Sequence, residues 1–220
     1  MGFSKESYEF LFLLSANNEK SYFEERRKEY EEVILKPLKA LAQELAPFML
    51  SVDPAFDVRP VMGATISRIY RDTRFSKDKS PFRDHMWISY KYYRQRVSES
   101  FGFFFEISPR GCRLGMGMYC PDKQRMDFIR AKIQSNPAAF EKLVNDPKLR
   151  SFALEGESYK RKAFQGPMEE YLNRKSLCYL KELPVEAAYD PKFAKVLEKE
   201  FDQLVPLYQF YTDGYTRTDE

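Results

Sequence analysis

A chain of 220 residues, 43% hydrophobic and 31% charged, lies within the range that one core can fill and has the composition of a soluble globular protein rather than a disordered one. Thirty-six basic against thirty-three acidic side chains leave a formal charge of +3, which is far from the excess of a strongly basic nucleic-acid binder. Aromatics reach 16%, a proportion that points to sheet and core packing.

Ser4 is the predicted N-cap of a first helix carrying Phe10, Leu11 and Leu14 on one side and ending at Asn17-Asn18. The apolar run Phe10 to Leu14 is too short to span a bilayer, and Glu6 and Glu9 stand where a secretory signal needs basic residues. A cytoplasmic protein with no membrane partner is expected. From Tyr22 onward Phe23, Tyr30, Val33, Ile34, Leu38, Leu41, Leu45 and Phe48 keep helical spacing, so one stripe faces a core, and Pro37 should kink or divide the helix.

The middle of the chain reads as strands. Thr65 to Tyr70, Met86 to Tyr92, Phe101 to Ile107 and Cys112 to Tyr119 are short, aromatic or β-branched, and bounded by turn residues. The last two, joined by Pro109-Arg110-Gly111, predict a hairpin, and connections too short for crossover helices predict a largely antiparallel sheet. Helical signals return after Pro121. Asn136-Pro137, Asp146-Pro147 and Asp190-Pro191 each set a capping side chain before a proline at the first helical position. Ser176 to Leu183 predicts one more strand, and Phe193, Val196, Leu197, Phe201, Leu204, Val205 and Tyr208 a final amphipathic helix. The fold class is therefore α+β: a mostly antiparallel central sheet packed with N-terminal and C-terminal helices, in a single domain over 1–211 with a polar tail at 212–220.

The positive charge is concentrated. Between Arg68 and Arg96 there are nine basic residues and three acidic ones, so the remainder of the chain is net acidic. Within this region Arg68, Tyr70, Arg71, Arg74, Lys77, Lys79 and Arg83 surround Asp72 and Asp78. Two readings stand side by side. Asp72 and Asp78 pair with neighbouring cations and hold a loop in shape, or the cations converge on a phosphate or carboxylate, a task suited to the planar two-pronged guanidinium. If Thr65 to Asp72 is a strand, Arg68, Tyr70 and Asp72 share one face and Ile69 and Arg71 the other.

The run Arg68 to Phe82 (RIYRDTRFSKDKSPF) resembles the signature of the domain of unknown function 2461 family, uncharacterised proteins of bacteria and fungi. Phe10 to Leu14 with Asn17-Asn18 and Tyr22-Phe23, then Gly115 to Pro121 and Phe128-Ile129-Arg130, are similar to further parts of that family's pattern. Phe82-Arg83 stands where the family is expected to have Tyr-Lys, and Lys160 to Met168 lacks its Pro-Lys-Gly run. The resemblance implies a fold and its boundaries but no reaction and no cofactor.

His85 is the sole histidine, which excludes a histidine-rich zinc site or metalloprotease helix, and no metal site is expected. Cys112, Cys120 and Cys178 lack disulfide or zinc spacing and read as reduced thiols. Gly111, Gly115 and Gly117 fall inside the hairpin rather than between a strand and a helix, so they do not cradle a nucleotide phosphate. Asp72 and Asp78 are the candidate acid-base groups, since basic neighbours hold a carboxylate ionised. Lys91-Tyr92-Tyr93-Arg94-Gln95-Arg96 mixes cations with aromatics as nucleic-acid surfaces do. The leading expectation is a pocket for an anionic small molecule lined by the 68–83 segment. The alternatives are a nucleic-acid module using 68–96 and a structural or protein-interaction domain.

Overall fold

Residues 2–96 and 100–215 are described by a computed structural model. Ser4 occupies the N-cap of helix α1 (Lys5–Ala16) in extended backbone, and its N–H donates to Ser7 Oγ at 3.1 Å. Short helices α2 (Lys20–Glu25) and α3 (Arg27–Tyr30) lead into a π-helical turn, Glu31–Leu35, and then α4 (Lys36–Val52). The winding continues to Val52 but is divided at Pro37, where the π turns of Glu31–Leu35 give way to α4 with the proline in its first turn. The pyrrolidine nitrogen has no hydrogen to give the carbonyl four residues back. That carbonyl is Val33 O, and the buried hydroxyl of Ser7 donates to it at 2.7 Å.

The strands are β1 (Phe56–Asp57), β2 (Met86–Tyr92), β3 (Gly102–Ser108), β4 (Gly111–Met118), β5 (Ala153–Glu155) and β6 (Leu177–Leu183). They form an antiparallel sheet in the order β1-β2-β3-β4-β6-β5, so the α+β reading from the sequence holds. Phe56 pairs with Tyr92 and Asp57 with Lys91 at one edge, and Leu154 with Tyr179 at the other. The expected strand from Thr65 is not one. Ile66 makes a single bridge to Ile88, and Tyr70 turns to a different partner, Phe82. Pairing divided between two partners gives no continuous ladder, so the face assignment drawn from strand alternation does not apply to Arg68, Tyr70 and Asp72.

Four further helices follow: α5 (Lys123–Ser135), α6 (Pro137–Val144), α7 (Glu169–Leu172) and α8 (Phe193–Thr212). Asp122 caps α5 by accepting the Arg125 N–H at 2.7 Å. Of the three proline junctions, Asn136-Pro137 opens α6 without a side-chain cap bond. Asp146 caps a 3-10 turn, Pro147–Ser151, instead of an α-helix. Asp190 accepts the Lys192 N–H at 2.8 Å just before α8. Of the predicted tail at 212–220, Thr212 closes α8, residues 213–215 form a turn, and 216–220 lie outside the described residues.

Two compact units can be distinguished. The first comprises Met1–Arg94, Phe104–Leu114 and Glu182–Glu198. Its core joins the helical stripe to β2 and β3: Phe23 stacks on Phe82 at 4.4 Å, Tyr90 donates to Ala42 O at 3.0 Å, and Phe105 meets Phe193 edge-on at 5.3 Å. Each such fully buried aromatic or leucine contributes about 1.5–3 kcal/mol before conformational entropy is set against it. The second unit comprises Gln95–Phe103, Gly115–Lys181 and Lys199–Glu220. Phe103 packs on Phe201 and Tyr208, and Phe140 on Tyr171. Buried Asn173 holds its loop with both ends of its amide, accepting from Ala163 and Phe164 and donating to Phe164 O and Glu169 O. Gly117 allows β4 to approach β6 so closely that a Cβ there would lie 2.3 Å from Leu177 O.

Candidate functional site

The basic segment is a loop with a closed base. Arg71 N–H donates to Pro81 O and Arg83 N–H to Ile69 O, both at 2.8 Å, flanking the Tyr70–Phe82 bridge. Ile69 and Phe82 are buried at this base. Asn18, from the turn after α1, locks it: its Oδ1 accepts the Phe82 N–H at 2.9 Å and its Nδ2 donates to Phe82 O at 3.0 Å.

Beyond the base the loop is braced by its own charges. Arg74 grips Asp72 with two guanidinium nitrogens, at 2.9 and 2.6 Å, and holds that carboxyl down at about 2. Asp78 accepts from Ser80 N at 2.9 Å and Ser80 Oγ at 2.6 Å, and pairs with Arg71. The Ser80 hydroxyl, then the Arg71 guanidinium, keep it well below the ordinary carboxylate range. Lys79 Nζ donates to Thr73 O at 2.9 Å. Both candidate acid-base groups are therefore exposed carboxylates held ionised by arginines, and neither has a proton to give near neutrality.

The other sequence candidates fall into distinct places. Tyr70, 46% exposed, accepts from Arg27 Nη2 at 3.4 Å and lays its ring against Phe82. Exposed Arg68 lies over Gly63, whose positive φ of 83° and missing Cβ leave the space its guanidinium fills. The side chains of Arg68, Lys77 and Arg83 have no hydrogen-bond or ion-pair partner among the described residues. Arg83 is the most unusual of the three. It is partly buried, its Nε is shielded from solvent without an acceptor, and its Cζ stands 5.0 Å from the Trp87 ring centroid. Burial, and then the neighbouring Arg71 charge, lower its pKa from the ordinary arginine value.

Arg83, His85 and Trp87 are spaced by two, and Phe82, Met86 and Ile88 between and around them are buried. Arg83 and His85 both lie against the Trp87 ring, and all three are partly exposed. His85 stacks on Trp87 at 5.6 Å, and its Nδ1 lies 2.7 Å from Asp84 Oδ1. Burial pushes the Asp84 carboxyl up, but the hydrogen bond and charge of His85, with Arg110 at 3.9 Å, leave it below its usual value. Arg83 is among the residues expected at a site, whereas Trp87 and Asn18 are not. The strand expected over Met86 to Tyr92 contains Trp87 and was the available signal for it, whereas nothing local marks Asn18 as the partner of a residue so far along the chain.

The alternative basic-aromatic surface divides. Lys91 and Tyr92 are buried in β2, while Tyr93 is exposed between Arg59 and Arg94, at 4.7 and 5.1 Å from its ring. Burial lowers the Lys91 pKa from its ordinary value, with Asp57 opposing the shift.

Fold and site together define an antiparallel α+β protein bearing a braced, arginine-rich loop closed by a side-chain amide. The chain belongs to the family described as conserved hypothetical protein (DUF2461), whose profile matches residues 6–210, in keeping with the resemblance carried by Arg68 to Phe82. No curated protein matches the chain. No helix among the described residues is long and apolar enough to cross a membrane.

Proposed function

We propose that this protein binds a phosphorylated or carboxylated small molecule through the 68–83 segment, with Arg83 as the central contact. One observation carries the reading: Arg83 is a partly buried guanidinium with a shielded Nε and no acceptor among the described residues. Leaving a charged donor in that state costs about 1–3 kcal/mol or more, and an anionic ligand offsets the cost by accepting from the planar fork. Arg71 adds positive potential beside it, while the Trp87 ring, already facing the guanidinium, supplies an apolar wall. Arg74 is committed to Asp72, so its part is to shape the loop. The reading is one of binding and assigns no reaction.

The test is thermal melting against inorganic phosphate, sugar phosphates, nucleotides and di- and tricarboxylates, at low and high salt. A ligand at about 100 times its dissociation constant adds roughly 2.7 kcal/mol, a rise of about 5–10 °C for a chain of this size. A salt-resistant rise with one compound class, lost in Arg83→Gln, supports the reading. No rise across the panel, or a rise unchanged in Arg83→Gln, overturns it.

A further inference from the structure

Phe75, at the far end of the same loop, is 95% exposed. A lone exposed apolar side chain needs no explanation by itself, but this one sits on a loop that is bonded both at its base and across its interior. Asn18 and the Tyr70–Phe82 bridge close its base, while Arg74–Asp72, Arg71–Asp78 and Lys79–Thr73 O brace its interior. The bracing orders a ring that buries nothing within the described chain. Order without burial costs conformational entropy, and that cost is offset when a partner covers the ring in its fixed position.

The chemistry around the ring selects the partner. Both acids of the loop are neutralised by arginines, so the charge left near the tip is that of Lys77, with no ion-pair partner among the described residues, and Lys79, whose ammonium has donors to spare beyond Thr73 O. Arg74 lies 5.9 Å from the Phe75 ring. Elsewhere in the same unit exposed Tyr70 and Tyr93 likewise stand beside guanidinium groups, those of Arg27, Arg59 and Arg94. An exposed ring flanked by cations is the combination that stacks unpaired bases and neutralises phosphates, and Phe75, unlike Tyr93 with two guanidinium groups over its ring or Tyr70 with its ring on Phe82, is open to solvent. A bilayer fits less well, because sinking Phe75 into the acyl boundary would also desolvate the adjoining Arg74–Asp72 pair, whereas stacking uses the ring face alone.

We propose that the 72–80 loop is a platform for single-stranded nucleic acid, with a base stacked on Phe75 and adjacent phosphates on Lys77 and Lys79. The inference does not depend on the Arg83 site, since it uses different side chains.

Fluorescence anisotropy with a labelled oligodeoxythymidine of about 12 nucleotides tests it. Wild type should bind at low salt and weaken steeply as salt rises. Phe75→Ala, which removes no packing from the fold, should weaken binding about 10-fold or more, Phe75→Trp should restore it, and Lys39→Gln, at an exposed cation of α4, should change it less than about 3-fold. Absence of binding overturns the proposal. So does binding indifferent to Phe75→Ala, which would be plain charge attraction, or Phe75-dependent capture by phosphatidylserine-containing vesicles without oligonucleotide binding.

Discussion

Asn18 holds Phe82 by both halves of its backbone, accepting its N–H and donating to its carbonyl across 64 positions of sequence. The amide replaces the neighbouring strand that this stretch lacks, and fixes a residue whose ring is buried against Phe23. Asn18→Ala leaves two partly buried backbone groups without partners and is expected to cost about 2 kcal/mol, or about 4–8 °C in Tm. Asn18→Asp keeps the acceptor but loses the donor, so it should fall between alanine and wild type near neutral pH. Urea denaturation of the three proteins checks the order.

Charge bracing sets a pH window. A carboxyl whose folded pKa lies below its unfolded value holds its interactions above the unfolded value and loses them as pH falls through the folded one. For Asp72 that interval runs from 3.8 down to about 2, and Asp78 is depressed likewise. Carbon-13 titration of the side-chain carboxyls should give Asp72 a midpoint near 2; a midpoint near 3.8 would mean the Arg74 fork does not form in solution.

Ser7 and Pro37 act on the same carbonyl, one by supplying a donor to Val33 and the other by lacking one. Ser7→Ala should cost about 1–3 kcal/mol. In a Pro37→Ala background, where an amide hydrogen becomes available to Val33, the same change should cost about 1 kcal/mol less. This coupling is the quantity a double-mutant cycle isolates, and additive effects would show that the carbonyl is served in another way.

The three thiols differ in access. Cys120 is exposed and Cys178 half-buried, whereas Cys112 lies under Tyr8, whose hydroxyl is 2.8 Å from its sulfur, and burial pushes its pKa up to about 11. A thiol reagent at pH 8 should modify Cys120 first and Cys112 only on unfolding. Fast labelling of Cys112 in the native protein would contradict this packing.

Most of the architecture was legible because it is written in short range. Met86 to Tyr92 is β2 to the residue, the hairpin strands differ from expectation by a single position at their ends, and Ser4 marks the start of α1. The misreadings occur where a partner distant in sequence decides. Thr65 to Tyr70 has strand composition, yet its hydrogen bonds go to two different segments. At Pro37 the expected division is only a change from π to α turns, because a serine on another helix satisfies the carbonyl it orphans. Edge strands β1 and β5, of two and three residues, are too short to carry an alternation signal. In the candidate site the cations were visible as residue types, but which of them the two aspartates would claim depends on loop geometry. Arg83 stands out only once Arg71 and Arg74 are seen to be taken.

The way the 72–80 loop meets the rest of the molecule has a consequence for how the chain can vary. Its two ends are already tied together by the Arg71–Pro81 and Arg83–Ile69 hydrogen bonds, so the scaffold below needs the tie and not the contents. Replacing residues 72–80 by a shorter connection would keep those bonds and the buried Ile69 and Phe82 in place. The loop is in this sense an interchangeable head on a fixed mount, and changes in its length or tip can accumulate without first being tolerated by the core.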